Sequence, residues 1–323
     1  MGWDIPTFGD VLAARRRIAP YLNPTPLFSY PVLADMVGTE VFVKHENHQP
    51  IGAFKVRGGI NLISQLTDDE RRRGVTTAST GNHGQSIAYA ARLFGVKAVI
   101  CVPEQANPAK MASMRGLGAE LVEAGRDFDD AKAHCQELAS SQGYLFIDSG
   151  NEPRLIAGVA TSTLEILEQE PTIQVVIVPI GGGSGAAGAS IVARAVDPSI
   201  RVIGVQSAQA PAAYRSWKER ALVEDKCETV AEGLATRAPF ELPQTILWEL
   251  LDDFILVSDD EILDAQLRLI DATRNLVEAS GAAATAAALR LKEDLAGTRV
   301  AVVMSGGNVS RAQLQTLLAR GAE

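Results

Sequence analysis

Short runs rich in β-branched and apolar residues punctuate the chain at 41–44, 75–78, 98–102, 120–122, 144–147, 175–178, 202–205 and 300–303. Runs of this length with little polar alternation predict strands buried on both faces. Between them lie longer stretches with helical spacing. Positions 54–66 place Ile60, Ile63 and Leu66 on one face, and 84–94, 128–141 and 186–196 also read as helices. Pro108, after the run at 98–102, suits the first turn of another. The Ala-rich stretch 282–288 predicts a helix packed closely on a sheet. Strand and helix therefore alternate. The pattern predicts an α/β protein with mostly parallel sheet and helices on both faces.

Composition narrows the field. With 46% hydrophobic residues over 323 positions, the chain can build a sizeable core, as two domains or one large α/β unit. Lys plus Arg number 30 against 39 Asp plus Glu, a net charge of −9, which argues against a general nucleic-acid binder. No apolar run is long enough for a membrane helix, and the N-terminal stretch does not read as a secretory leader. Three widely spaced cysteines, Cys101, Cys135 and Cys227, predict neither a disulfide framework nor a zinc site and fit a reducing cytoplasm. No linker-like segment or internal repeat divides the chain, so domain limits must come from the motifs.

Four polar, Gly-rich segments follow strands or open helices. Gly181-Gly182-Gly183-Ser184-Gly185-Ala186-Ala187-Gly188 leaves the strand at 175–178 and opens a helix. Glycines let backbone N–H groups converge, and the helix end adds partial positive charge, so this segment predicts an anion cradle. Gly183-x-Gly185-x-x-Gly188 also matches a dinucleotide fingerprint, but Gln206 ends the next strand where that fingerprint wants an acid. Phosphate binding is thus favoured over a nicotinamide dinucleotide. In Ala53-Phe54-Lys55-Val56-Arg57-Gly58-Gly59, a lysine beside an aromatic and flanked by glycines is either a solvated charge or a desolvated nucleophile. Ser79-Thr80-Gly81-Asn82-His83-Gly84 can hold a carboxylate, or be a turn in which Ser79 or Thr80 caps the helix. Ser305-Gly306-Gly307-Asn308 follows the strand at 300–303. Open parallel sheets place ligands at such strand ends. His45-Glu46-Asn47-His48 looks metal-like, but its i, i+3 histidines leave a strand towards Pro50, and no metal site is expected there.

These motifs, in this order from Thr25-Pro26-Leu27 to Asn308, resemble the fold-type II pyridoxal-5′-phosphate enzymes of the serine/threonine dehydratase and serine racemase family. The resemblance implies a tryptophan synthase β-like fold. It also implies that Lys55 carries the cofactor as a Schiff base and moves the α-proton, with Phe54 packed on one face of its ring. Asn82 would bond the ring oxygen, and Ser79, Thr80, Gly81, Asn82 and His83 would receive the substrate carboxylate. Gly181, Gly182, Gly183, Ser184 and Gly185 would cradle the phosphate, Gly233 would lie on the other side of the ring, and Ser305 would face the pyridine nitrogen. Glu278-Ala279-Ser280-Gly281 resembles a further family segment.

Departures from the family pattern sharpen the expectations. Thr80 stands where serine racemases carry the serine that serves the opposite face, so Thr80 is a second catalytic candidate for racemisation. The carboxylates of metal-activated relatives are missing from Gly204-Val205-Gln206-Ser207 and Ala210-Pro211-Ala212-Ala213, so no divalent metal is expected there. Ala53 replaces a serine beside the lysine. The expected architecture is a larger cofactor-binding domain of residues 1–74 and 152–323 and a smaller mobile domain of residues 75–151. The expected function is an ammonia-lyase that dehydrates a β-hydroxy amino acid such as serine or threonine. An amino-acid racemase, an NAD-dependent dehydrogenase and a non-catalytic phosphate-ligand module remain alternatives. A cytoplasmic homodimer without nucleic-acid or membrane partners completes the expectation.

Overall fold

The strand Arg299–Met304 lies inside the larger of two sheets, between strands made from residues more than a hundred positions earlier. The structure is a computed structural model describing residues 3–320 apart from 105 and 127. Its strands are β1 (Leu27–Ser29), β2 (Glu40–His45), β3 (Val75–Ala78), β4 (Ala98–Val102), β5 (Glu120–Glu123), β6 (Leu145–Phe146), β7 (Val175–Pro179), β8 (Arg201–Ser207), β9 (Asp253–Val257) and β10 (Arg299–Met304). Six of them form one sheet in the order β1-β2-β10-β7-β8-β9, and four form the other in the order β5-β4-β3-β6. Every pairing is parallel except β1 with β2, where Leu27 faces Lys44. The mostly parallel expectation therefore holds, with an antiparallel strand added at one edge.

Burial explains which elements form. All of β4 is buried, as parallel strands covered on both faces should be. The helix Pro108–Gly116 starts on its proline, and Asn107 Oδ1 accepts from the Ala109 N–H at 3.0 Å. The helix expected over 54–66 is shorter, Val56–Ile63. Phe54 N donates to Ser305 O at 3.0 Å and Ala53 bridges Gly306, so these residues belong to the neighbouring strand end. Helices Asn82–Phe94 and Ser184–Val196 instead begin two residues earlier than the apolar spacing suggests, inside their polar loops. The Ala-rich stretch lies in the helix Ala279–Arg290, where Gly281 approaches the backbone of Gly306.

The core beneath the strand ends is charged. Lys44 Nζ lies 2.8 Å from Glu165, and Arg57 Nη2 lies 2.8 Å from Glu46 and 2.7 Å from Glu165, all four side chains being buried. Thr25 Oγ1 adds a 2.7 Å bond to Glu46. Burial pushes the Glu46 carboxyl up, but Arg57 outweighs that and holds it down at about 2. Two cations thus balance two anions, which a buried cluster needs. The metal-like segment is explained in the same way. Glu46 faces Arg57, His45 bonds the Tyr30 hydroxyl at 2.9 Å, and His48 bonds Asn275 at 2.6 Å.

Candidate active site

Strands β2, β10 and β7 are neighbours and point the same way, so the segments after them lie side by side. Phe54 and Lys55 follow β2, Ser305 ends the β10 segment, and Gly181–Gly185 follow β7. The segment after β3 comes from the other sheet and joins them through Asn82. Asn82 Nδ2 donates to Glu278 Oε1 at 2.7 Å, and Asn308 Nδ2 donates to Asn82 Oδ1 at 2.8 Å. The four sequence motifs therefore meet in one place between the sheets.

Lys55 is half-buried, with its Nζ donating to Ser184 Oγ at 2.9 Å and lying 5.2 Å from the Phe54 ring centroid. Burial without an acidic partner pushes its ammonium down to about 8. A usable fraction is then the neutral amine near neutral pH, as a nucleophile or proton acceptor requires. Ser184 opens a 13-residue helix whose N-cap, Gly183, has φ of 86°. That left-handed backbone suits glycine alone at little cost. At Gly181 the demand is steric, because a Cβ would strike the carbonyl oxygen of Gly233. Gly233 thus packs directly against the cradle.

The second loop is built from side chains. Ser79 Oγ accepts from the N–H groups of Gly81 at 3.2 Å and Gly84 at 2.9 Å. Ser79 therefore does cap this turn, although Gly81 is the residue that precedes the helix. Thr80 is exposed and His83 is buried. Thr77 Oγ1 gives its proton to Ile147 O at 2.8 Å and must accept from His83 Nε2, 3.0 Å away. His83 consequently carries its proton on Nε2. Burial, aided by the charge of Lys55, pushes its pKa down to about 3, so it is neutral.

Ser305 is buried at the end of β10 beside Phe54. Burial pushes the Glu278 carboxyl up, and the bond from Asn82 partly opposes that. Sequence reasoning left Glu278 without a role, and its contact with Asn82 spans 196 positions. It also missed Phe240, which packs against Gly182 and Gly150, and the ion pair of Lys110 with Glu232. Gln206, where a nicotinamide dinucleotide would need an acid, is buried and accepts from Tyr214 N at 3.0 Å. Among the described residues no group of three or more His, Cys, Asp or Glu side chains is placed to hold a metal, and no helix is long and apolar enough to cross a membrane.

A cradle of N–H groups at a helix start, next to a lysine with a depressed pKa, fits a ligand carrying both a phosphate and an aldehyde. Fold and site together define a pyridoxal-phosphate enzyme of fold type II. Residues 18–306 match the family described as "Pyridoxal-phosphate dependent enzyme". The chain is 36% identical to the L-threonine ammonia-lyase of Thermotoga maritima, over 98% of this chain and 79% of that one. It is also 36% identical to the L-threo-3-hydroxyaspartate ammonia-lyase of Saccharomyces cerevisiae, over 97% of both. Maize serine racemase superposes with a TM-score of 0.93 at 32% identity, covering 98% of each chain. The chain belongs to the pyridoxal-phosphate-dependent enzymes, in the serine/threonine dehydratase group.

Proposed function

We propose that this enzyme is an ammonia-lyase that converts a β-hydroxy amino acid, such as serine or threonine, to a 2-oxo acid and ammonia. The observation that carries the reading is Lys55, a poorly solvated amine with a pKa near 8, set 2.9 Å from the hydroxyl that opens the glycine cradle. When bound, pyridoxal 5′-phosphate supplies the electron sink that makes the α-proton acidic. The chain supplies the rest. N–H groups of Gly181 to Gly185 and the helix start would hold the phosphate charge without a basic side chain. The 79–83 loop orients the carboxylate, with Ser79, Thr80, Gly81, Asn82 and neutral His83 as its contacts. Phe54 packs beside the lysine, Asn82 is held in place by Glu278 and Asn308, and Gly233, packed against Gly181, would close the far side. Lys55 Nζ takes the α-proton. Ser305 would offer the ring nitrogen a neutral hydroxyl instead of a carboxylate, which suits elimination over amino transfer. The proton taken by Lys55 Nζ would pass to the departing β-hydroxyl, which leaves as water, and the released enamine hydrolyses to the 2-oxo acid and ammonia.

The exposed hydroxyl of Thr80 favours a second reading, an amino-acid racemase in which Thr80 protonates the opposite face. The unit containing β3 to β6, residues 75–151, would close on the remainder when substrate binds. A cytoplasmic homodimer is part of the same proposal, supported by the three free cysteines and by the exposed apolar side chains Phe28, Val32 and Leu276. The test is visible absorbance of the purified protein together with release of ammonia and 2-oxo acid from a panel of β-hydroxy amino acids. Turnover with keto-acid release supports the lyase, and chiral inversion without release supports the racemase. A colourless protein that binds no pyridoxal phosphate overturns both.

A further inference from the structure

The segment 148–151 follows β6 and begins beside His83, because Ile147 O accepts from the Thr77 hydroxyl that also bonds that histidine. Asp148 Oδ1 accepts from the N–H groups of Gly150 at 2.9 Å and Asn151 at 3.0 Å. Its other oxygen pairs with Lys132 Nζ at 3.2 Å. Asn151 Oδ1 in turn accepts from Leu242 N at 3.0 Å. The ring of Phe240 fills the space where Gly150 has no side chain, and a Cβ on Gly182 would lie 3.2 Å from it. Lys132 Nζ sits 5.5 Å from the ring centroid. Phe240 therefore spans from the glycine cradle to the strand-end segment next to His83.

This position bears on substrate choice. If the carboxylate rests on the 79–83 loop and the phosphate on Gly181–Gly185, the β-carbon lies between the two. Phe240 and the 148–151 segment border that gap. Resting on the lyase reading, the geometry points to Phe240 and the Lys132–Asp148 pair as the residues that select the substituent on the β-carbon, admitting an uncharged group such as methyl over a carboxylate. Lys132 is already neutralised by Asp148 and faces an aromatic ring. The Asp148 carboxyl is pushed up by burial, but two N–H groups and Lys132 outweigh this and keep it ionised. A second carboxylate entering here would meet that negative charge and would have to displace it from Lys132.

The test is calorimetric titration of the holoenzyme with two amino acids that lack a leaving group, L-2-aminobutyrate and L-aspartate. The wild type should bind aminobutyrate tighter by about tenfold or more. Asp148→Asn keeps the oxygen that receives Gly150 and Asn151 but removes the charge, so the ratio should move about tenfold towards aspartate. Lys132→Met should move it the other way, which keeps the proposal testable if Asp148→Asn does not fold. Phe240→Leu should weaken aminobutyrate by about threefold to tenfold and leave aspartate nearly unchanged. A wild type that prefers aspartate, or a ratio unmoved by Asp148→Asn and Lys132→Met, overturns the proposal. Failure of the lyase reading is seen separately, as absent colour or absent keto-acid release.

Discussion

The loops at 181–185 and 79–83 occupy the same place in their two sheets, and they are built in opposite ways. Each leaves the C-terminal end of a parallel strand and opens a 13-residue helix. The first is backbone against backbone, with Gly181 pressed on the Gly233 carbonyl and Gly183 held in a left-handed turn. The second is a set of side chains, Ser79 receiving two N–H groups and Asn82 fixed between Glu278 and Asn308. Helix ends attract anions in both cases. A close-packed glycine turn has one shape, which suits an anion that stays. Side chains that can change partners suit an anion that arrives and leaves with every turnover.

Several substitutions would break or sharpen that contrast. Lys55 bonds Ser184 of the first loop and its charge acts on His83 of the second, so Lys55→Ala should lower kcat by about 10³-fold or more and remove the visible absorbance. Gly181→Ala should act on the staying anion. It forces a methyl onto the Gly233 carbonyl, and cofactor affinity measured by reconstitution should fall by about tenfold to a hundredfold. Ser79→Ala should act on the exchanging anion. With the one acceptor of the Gly81 and Gly84 N–H groups lost, KM for the amino acid should rise by about tenfold, and cofactor affinity should stay within about twofold. The contrast fails if these two variants exchange their effects.

The smallest expected effect is a pH dependence of cofactor uptake. Lys55 has its pKa lowered by burial to about 8, so the reactive neutral amine forms as pH rises through that value. The rate of reconstituting apoenzyme should grow about threefold between pH 7.5 and 8.5 and level off above. A rate still rising steeply above pH 9.5 would mean that Lys55 is solvated like any surface lysine.

What could be read in advance follows from how local each feature is. The strand at 98–102 was legible to the residue because all five side chains are buried. The helix Pro153–Gln169 was not, because positions 155–167 are buried all round and leave no polar stripe. Strands β1 and β9 escaped notice as edge strands, β1 only three residues long and β9 only partly buried. In the site, the glycine cradle and Lys55 announced themselves because each is a contiguous motif. The partners that position them did not, since Glu165 bonds Arg57 across 108 positions and Asn82 bonds Glu278 across 196. Phe240 gave no signal at all. Its importance depends on Gly150 and Gly182 lacking side chains, and only the fold brings those three together.

The inner position of β10 also governs the order in which the molecule can assemble. Strand β2 pairs with β10 over six residues and with β1 over three, and β7 also waits for β10 on one side. During synthesis the smaller sheet has all its strands once residue 146 is made, whereas the larger one keeps two incomplete edges until residues 299–304 emerge. From residue 146 until residue 304 is made, the nascent chain carries all the strands of one sheet beside another sheet with an open slot. That slot closes with the strand leading into Ser305, so the pocket is completed in the same event as the sheet.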